Sequence, residues 1–181
     1  MALQAGDIGW HRDTGIAAWF IRWAEARKYG KNWTAQSPAV KGPAYYNHVY
    51  MMVSSLRLIE ATPKGVVYAD LSEYVGQYQP TDSAWFRPVF ADADGADRAV
   101  HAMQQSVGEM YDNLAIISDA LYLLCHRVNV RFGLTTHATC SGVVAHALEL
   151  AGLDLGDYET CSSPADVFAF AQTNHWAPVG V

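Results

Sequence analysis

Three strand-sized apolar runs follow one another with almost nothing between them: "HVYMMV" (48–53), "LRLIEA" (56–61) and "GVVYADL" (65–71). Each is short, flanked by turn residues and rich in branched or aromatic side chains, which is the pattern of strands. The first two are joined across Ser54 and Ser55 and are therefore neighbours in one sheet. "GDIGW" (6–10) supplies a strand before them and "SAWFRPVF" (83–90) one after, with Pro88 suited to an edge or a strand end.

After residue 90 the apolar spacing lengthens to three and four residues. "DADGADRAVHAMQQSVG" (92–108), "NLAIISDALYLLCHRVNV" (113–130) and "CSGVVAHALELAG" (140–152) read as helices, the first and last ending on glycine. "SSPADVFAFA" (162–171) opens with a serine cap, an early proline and an early aspartate, and "HWAPVGV" returns as a last strand. One helix lies outside this half. "TGIAAWFIRWAEARK" (14–28) repeats Ile16, Trp19, Phe20 and Trp23 as a stripe, either a core face or a lid. The longest loop is "KYGKNWTAQSPAVKGP" (28–43). Strands grouped early and helices mostly late give an α+β domain with a small antiparallel sheet. No repeat or composition break divides the 181 residues, so a single domain, 1–181, is expected.

Two ionisable residues sit where such strands want apolar ones: His48 heads the first run and Glu60 lies inside the second. A third reactive residue, Cys140, follows the polar run "TTHAT" and opens a helix whose apolar positions are Val143, Val144, Ala147, Leu148 and Ala151. A helix N-terminus favours a thiolate and offers N–H groups to an oxyanion, while Ser141 and Gly142 keep the first turn small. A cysteine nucleophile needs a base, and the base needs an acceptor that orients it. His48 and Glu60 are of the right types, on consecutive strands. The alternative readings are a small buried cysteine, a half-exposed strand histidine and an edge charge that blocks sheet pairing.

The order of these pieces resembles a known family, the circularly permuted papain-like thiol amidases, in particular its YiiX-like branch, which is related to NlpC-type cell-wall peptidases. "GDIGW", "GIAAWFIRWAE", "YNHVYMMV", "LIEATPKGV", "GEMYDN", "TCSGVVAHALELAG" and "SSPADVF" occur in that family's sequence order. In unpermuted relatives the cysteine helix precedes the histidine strand; here it follows. The resemblance implies a permuted papain-like fold, with a barrel-like sheet packed on helices that include the cysteine helix. It implies Cys140 as nucleophile, His48 as base and Glu60 as the residue orienting the imidazole. The implied activity is a cysteine hydrolase cleaving amide or peptide bonds through an acyl-enzyme, with cell-wall stem peptides as one substrate class. Acyl lipids are the chemical competitor, since lipid acyltransferases share the permuted fold. In "MYDN", Tyr111 and Asp112 read as packing or capping residues.

Rival sets are weaker. Cys125, His126, His137 and Cys140 form a chemically legitimate zinc set, but their spacing fits no finger or ribbon. His137 competes with His48 as the base, yet nothing names an acceptor to orient it. His146 lies off the face of Cys140. Cys161, His11, His101, His126 and His175 receive structural or surface readings. No phosphate-binding glycine pattern is present, so no nucleotide cofactor is expected, nor any metal. A net charge of -6 with twelve Lys plus Arg leaves no basic footprint for nucleic acid or an anionic membrane. The expected partner is a peptide, amide or acyl substrate. Three scattered cysteines suit a reducing compartment, and "MALQAGDIGWHRD" lacks the features of a signal peptide, so a cytoplasmic or phage-encoded protein is expected, without an integral membrane segment. A non-catalytic binding module that kept the fold is the reading from a different functional class.

Overall fold

Six strands pair in the order β4-β3-β2-β1-β5-β6, every pairing antiparallel, in a computed structural model that describes residues 2–29, 43–75, 82–111, 139–155 and 163–180. The strands are β1 (Ile8–His11), β2 (His48–Met52), β3 (Arg57–Thr62), β4 (Gly65–Asp70), β5 (Ser83–Arg87) and β6 (Ala177–Pro178). Five helices accompany them among the described residues: α1 (Ile16–Tyr29), α2 (Ser72–Val75), α3 (Gly95–Gln105), α4 (Cys140–Leu150) and α5 (Pro164–Thr173). The protein is thus α+β, as its sequence pattern leads one to expect. The helix expected over 113–130, nearly all of the 28–43 loop, and Asp112, Cys125, His126, His137 and Cys161 lie outside the described residues.

Register decides which side chains share a face, because directly paired residues point the same way and their chain neighbours point oppositely. His11 pairs with His48 and Gly9 with Tyr50 across β1 and β2; Met52 pairs with Leu58, and Leu58 with Ala69. One face therefore carries His11, His48, Tyr50, Met52, Leu58 and Glu60. Its apolar members join Leu3, Leu71, Trp85 and Val179 in a small cluster. The other face carries Ile8, Trp10, Val49, Met51, Ile59 and Ala61, and the apolar sides of α3, α4 and α5 pack on it to form the main core. Trp10 anchors that side: its indole N–H donates to the Pro164 carbonyl at 3.1 Å, and its ring meets Phe86 and Phe168 edge-on.

A stretch too short to stand alone, β1 is central because it is hydrogen-bonded on both sides. Asp7, just before it, is fully buried and bidentate to Arg87 of β5 at 2.7 and 2.9 Å, which locks β1 to β5. Pro88 falls just past the end of β5, where its missing donor removes no ladder bond.

The two tryptophans of the α1 stripe are not among the buried core residues. Trp19 is half-exposed and stacks on Trp23 at 6.1 Å, with the Arg27 guanidinium over Trp23. Ala18, Arg22, Glu25 and Ala26 are buried instead. The inward side of α1 meets polar backbone, which selects these residues. Arg22 Nη1 donates to the Asp13 carbonyl and to Asn47 Oδ1, and Glu25 Oε1 accepts from the Ala165 N–H at 3.1 Å. Arg22 thus ties α1 to the residue that precedes His48.

Gly9 is required by close approach. A Cβ there would lie 2.1 Å from Cε2 of Tyr50, whose ring is fully buried and has nowhere to retreat. Gly9→Ala is expected to lower stability by about 1 to 3 kcal/mol, the usual cost of overpacking, read as a shift of the urea midpoint with an unchanged slope.

Candidate active site

The first residue of β2 and the middle of β3 bring the two ionisable strand residues into contact. His48 Nε2 lies 2.6 Å from Glu60 Oε2, and both side chains are buried. Their shared face explains this: Glu60 follows Leu58 by two residues, and His48 precedes Tyr50 by two, so both project to the same side of neighbouring strands. With Nε2 committed to Glu60, Nδ1 is the nitrogen left for a second partner.

Cys140 lies beside the same ring, its thiol interacting with the His48 imidazole by hydrogen bonding and by charge. It opens α4 from a buried position, where the helix packs along β2. Thr139 caps the helix with extended backbone, its hydroxyl accepting from the Gly142 N–H at 3.0 Å. The smallness of Gly142 serves the cap: a Cβ there would sit 2.7 Å from Thr139 Oγ1. No acidic residue occupies the first turn of α4.

Electrostatics separates the two histidines of this face. Burial depresses the His48 imidazole, but hydrogen bonds to Cys140 and Glu60, with their charges, outweigh it and push the group up to about 10. Burial dominates at His11: despite Asp13, and helped by the charge of His48, it holds the imidazole below its ordinary value. His11 Nδ1 lies 2.9 Å from Ser83 Oγ, and the residue is fully buried. Of two imidazoles on adjacent strands, one is set to carry charge and the other to stay neutral. Glu60 answers the same balance, since burial raises its carboxyl while the bonds to His48 and Tyr74 and the His48 charge lower it on balance.

Three further residues surround the trio without a sequence signal. Tyr74 of α2 donates its hydroxyl to Glu60 Oε2 and lays its ring nearly parallel to His48, at 6.3 Å and 16°. Tyr74 follows β4 in a helix of four residues, too short for any periodicity to announce. Tyr50 shares the face with His48 and packs on Tyr74 at 4.9 Å. Glu25 of α1 is buried near Cys140, and burial holds its carboxyl well above the ordinary range, against the Ala165 N–H and the Ser163 hydroxyl. Tyr111 is half-buried and packs against the main core.

Among the described residues no three His, Cys, Asp or Glu side chains form a cluster suited to a metal ion, and no helix is long and apolar enough to cross a membrane. The sequence matches no known protein-family model and no curated protein. What the site can do is therefore argued from its own geometry. A thiol at a helix start, an imidazole beside it and a buried carboxylate behind the imidazole are the parts from which an activated sulfur nucleophile is made.

His48 is expected to titrate near pH 10 by side-chain nitrogen NMR, and Cys140→Ser to lower that midpoint by removing the sulfur's contribution. Because the folded value lies above the ordinary one, the imidazolium's contribution to stability is complete below about pH 6.5 and disappears as pH rises through about 10. The melting temperature should fall across that window in the wild type and less steeply in His48→Gln.

Proposed function

We propose that this chain is a cysteine hydrolase of amide or peptide bonds, in which Cys140 is the nucleophile, His48 the base and Glu60 the residue that orients the imidazole. The observation that carries the reading is the placement of one buried imidazole between a helix-initial thiol and a buried carboxylate, with Nε2 at 2.6 Å from Glu60. The permuted papain-like order of the sequence elements supports the same assignment: histidine strand, acidic strand, then cysteine helix.

In the proposed reaction the Cys140 proton passes to His48, and the sulfur attacks the substrate carbonyl carbon. The carbonyl π electrons move to oxygen, and the resulting oxyanion is held by N–H groups at the start of α4. Collapse of this intermediate re-forms the C=O bond and breaks the C–N bond, with the leaving amine taking the proton from His48. Water, losing a proton to the same imidazole, then attacks the thioester and releases the acid. The proton returns to Cys140. Glu60 keeps its hydrogen bond to Nε2 throughout, fixing the tautomer and stabilising the imidazolium.

The Trp19 and Trp23 face of α1 is proposed to border the substrate. Acylated amines and peptides, including cell-wall stem peptides, are the substrate classes to try first; ester and lipid acyl groups differ only in the leaving group.

Alkylation tests the pair without knowledge of the substrate. Iodoacetamide should label Cys140 at pH 7 about tenfold faster in the wild type than in His48→Ala, read by peptide mass spectrometry. Hydrolysis of a panel of N-acyl peptides and acyl esters should fall by about a thousandfold or more in Cys140→Ala and about a hundredfold in Glu60→Gln. Equal labelling rates in the wild type and His48→Ala would remove the base from the reading.

A further inference from the structure

Glu60 Oε2 accepts two donors from two different elements, the His48 ring from β2 and the Tyr74 hydroxyl from α2. A buried carboxylate offers about four lone-pair sites over two oxygens, so sharing one oxygen is a choice made by the fold. With a single donor the carboxylate can rotate about its last bond, because such sp² torsions are broad. With two donors converging from fixed backbone it cannot.

We propose that Tyr74 is a positioning residue of the thiol-imidazole-carboxylate relay: its hydroxyl fixes the Glu60 oxygen that accepts the hydrogen bond from His48 Nε2 and moderates how strongly that oxygen accepts it. The inference rests on the hydrolase reading of the site. The tyrosine ring serves the same end, lying against the His48 ring, packing on Tyr50 at 4.9 Å and meeting the His11 ring edge-on at 5.2 Å. Burial and the adjacent Glu60 charge keep the phenol protonated well beyond its ordinary range, so it remains a donor wherever the relay works.

The expected sign follows from the hydrogen bond. Among the described residues the groups facing His48 are Cys140 from α4, Glu60 from β3, His11 from β1, Tyr74 from α2 and Tyr50 from its own strand, and Asp13 faces both His11 and Tyr74. Of these, Glu60 and Cys140 draw the imidazole toward its charged form. A phenol donating to Glu60 Oε2 withdraws part of that oxygen's charge, so removing the hydroxyl leaves a more basic carboxylate and a more persistent imidazolium. A stronger donor at position 74 does the reverse.

The test uses the full chain and reads two things: the pH dependence of iodoacetamide alkylation at Cys140 and the alkaline midpoint of His48 by side-chain nitrogen NMR. Tyr74→Phe keeps the ring and its packing and removes only the hydroxyl. It should move the His48 midpoint to higher pH by about half to one unit and slow turnover of the best substrate about tenfold, through kcat more than KM. Site-specific 3-fluorotyrosine at position 74, a more acidic phenol and stronger donor, should move the midpoint to lower pH. Opposite shifts cannot come from a merely structural side chain, and the fluorinated protein keeps the experiment decisive if Tyr74→Phe folds poorly. A His48 midpoint unchanged in both proteins overturns the proposal. Failure of the hydrolase reading shows separately, as labelling of Cys140 that does not respond to His48→Ala or hydrolysis that survives Cys140→Ala.

Discussion

One buried hydrogen bond sets the terms for the rest of the site: His48 Nε2 to Glu60 Oε2, at 2.6 Å. A carboxylate removed from water is costly unless every strong acceptor on it finds a donor, and an imidazole beside it is worth most when its proton points at that acceptor. The surroundings follow from this requirement. Strand register brings the two side chains to one face, α2 closes over them with a phenol that donates to the same oxygen, and Gly9 leaves room for the Tyr50 ring that packs against that phenol. With Nε2 held, Nδ1 is the nitrogen left for a second partner. In the proposed hydrolase this arrangement would orient the imidazole before substrate binds.

The two sides of the sheet supply different parts of the site. The Ile8, Trp10, Val49 and Met51 side is buried under three helices and includes Cys140, while the opposite side holds a smaller apolar cluster with His11, His48 and Glu60, so the thiol and the imidazole meet from opposite sides at the start of β2. On the second side His11 and His48 are direct register partners, yet their surroundings drive them apart. His11 faces a serine hydroxyl and is dominated by burial; His48 faces a carboxylate and a thiol and is dominated by them. That opposition supports the proposed assignment of His48, rather than His11, as the base.

The α+β layout and the two ionisable strand residues were legible because strand pairs with short links are local: run length, alternation and the link between 48–53 and 56–61 are all in the sequence. The thiol was legible at a helix start because capping is local too, with Thr139 before it and small residues after. Which face of α1 would be buried was not. The stripe read as a core face or a lid, and choosing between them needs the partners that Arg22 and Glu25 find inside, at Asp13 and Ala165, which depend on other segments. Tyr74 was invisible for the same reason: a tyrosine in a four-residue helix after β4 carries no pattern, and its bond to Glu60 exists only once β3 and α2 come together. His11 was set aside as structural, and only the β1-β2 register shows that it neighbours the site.

Two helix N-termini in the chain are finished differently, and the contrast bears on the thiol. The start of α5 is saturated: Ser163 and Asp166 form a reciprocal capping box, Glu25 Oε1 takes the Ala165 N–H, and Tyr29 donates to Asp166. Negative charge is concentrated where the helix dipole welcomes it. The start of α4 is capped by the neutral hydroxyl of Thr139, and its first turn holds no acid. A carboxylate there would take up the same N–H groups and the same dipole field that a thiolate or an oxyanion needs, and would repel both. Glu25, the buried acid near Cys140, is held by its surroundings toward the neutral form, which limits that repulsion. The acids described here thus lie at α5 or are pushed by burial toward the neutral form, an arrangement that fits the proposed role of Cys140.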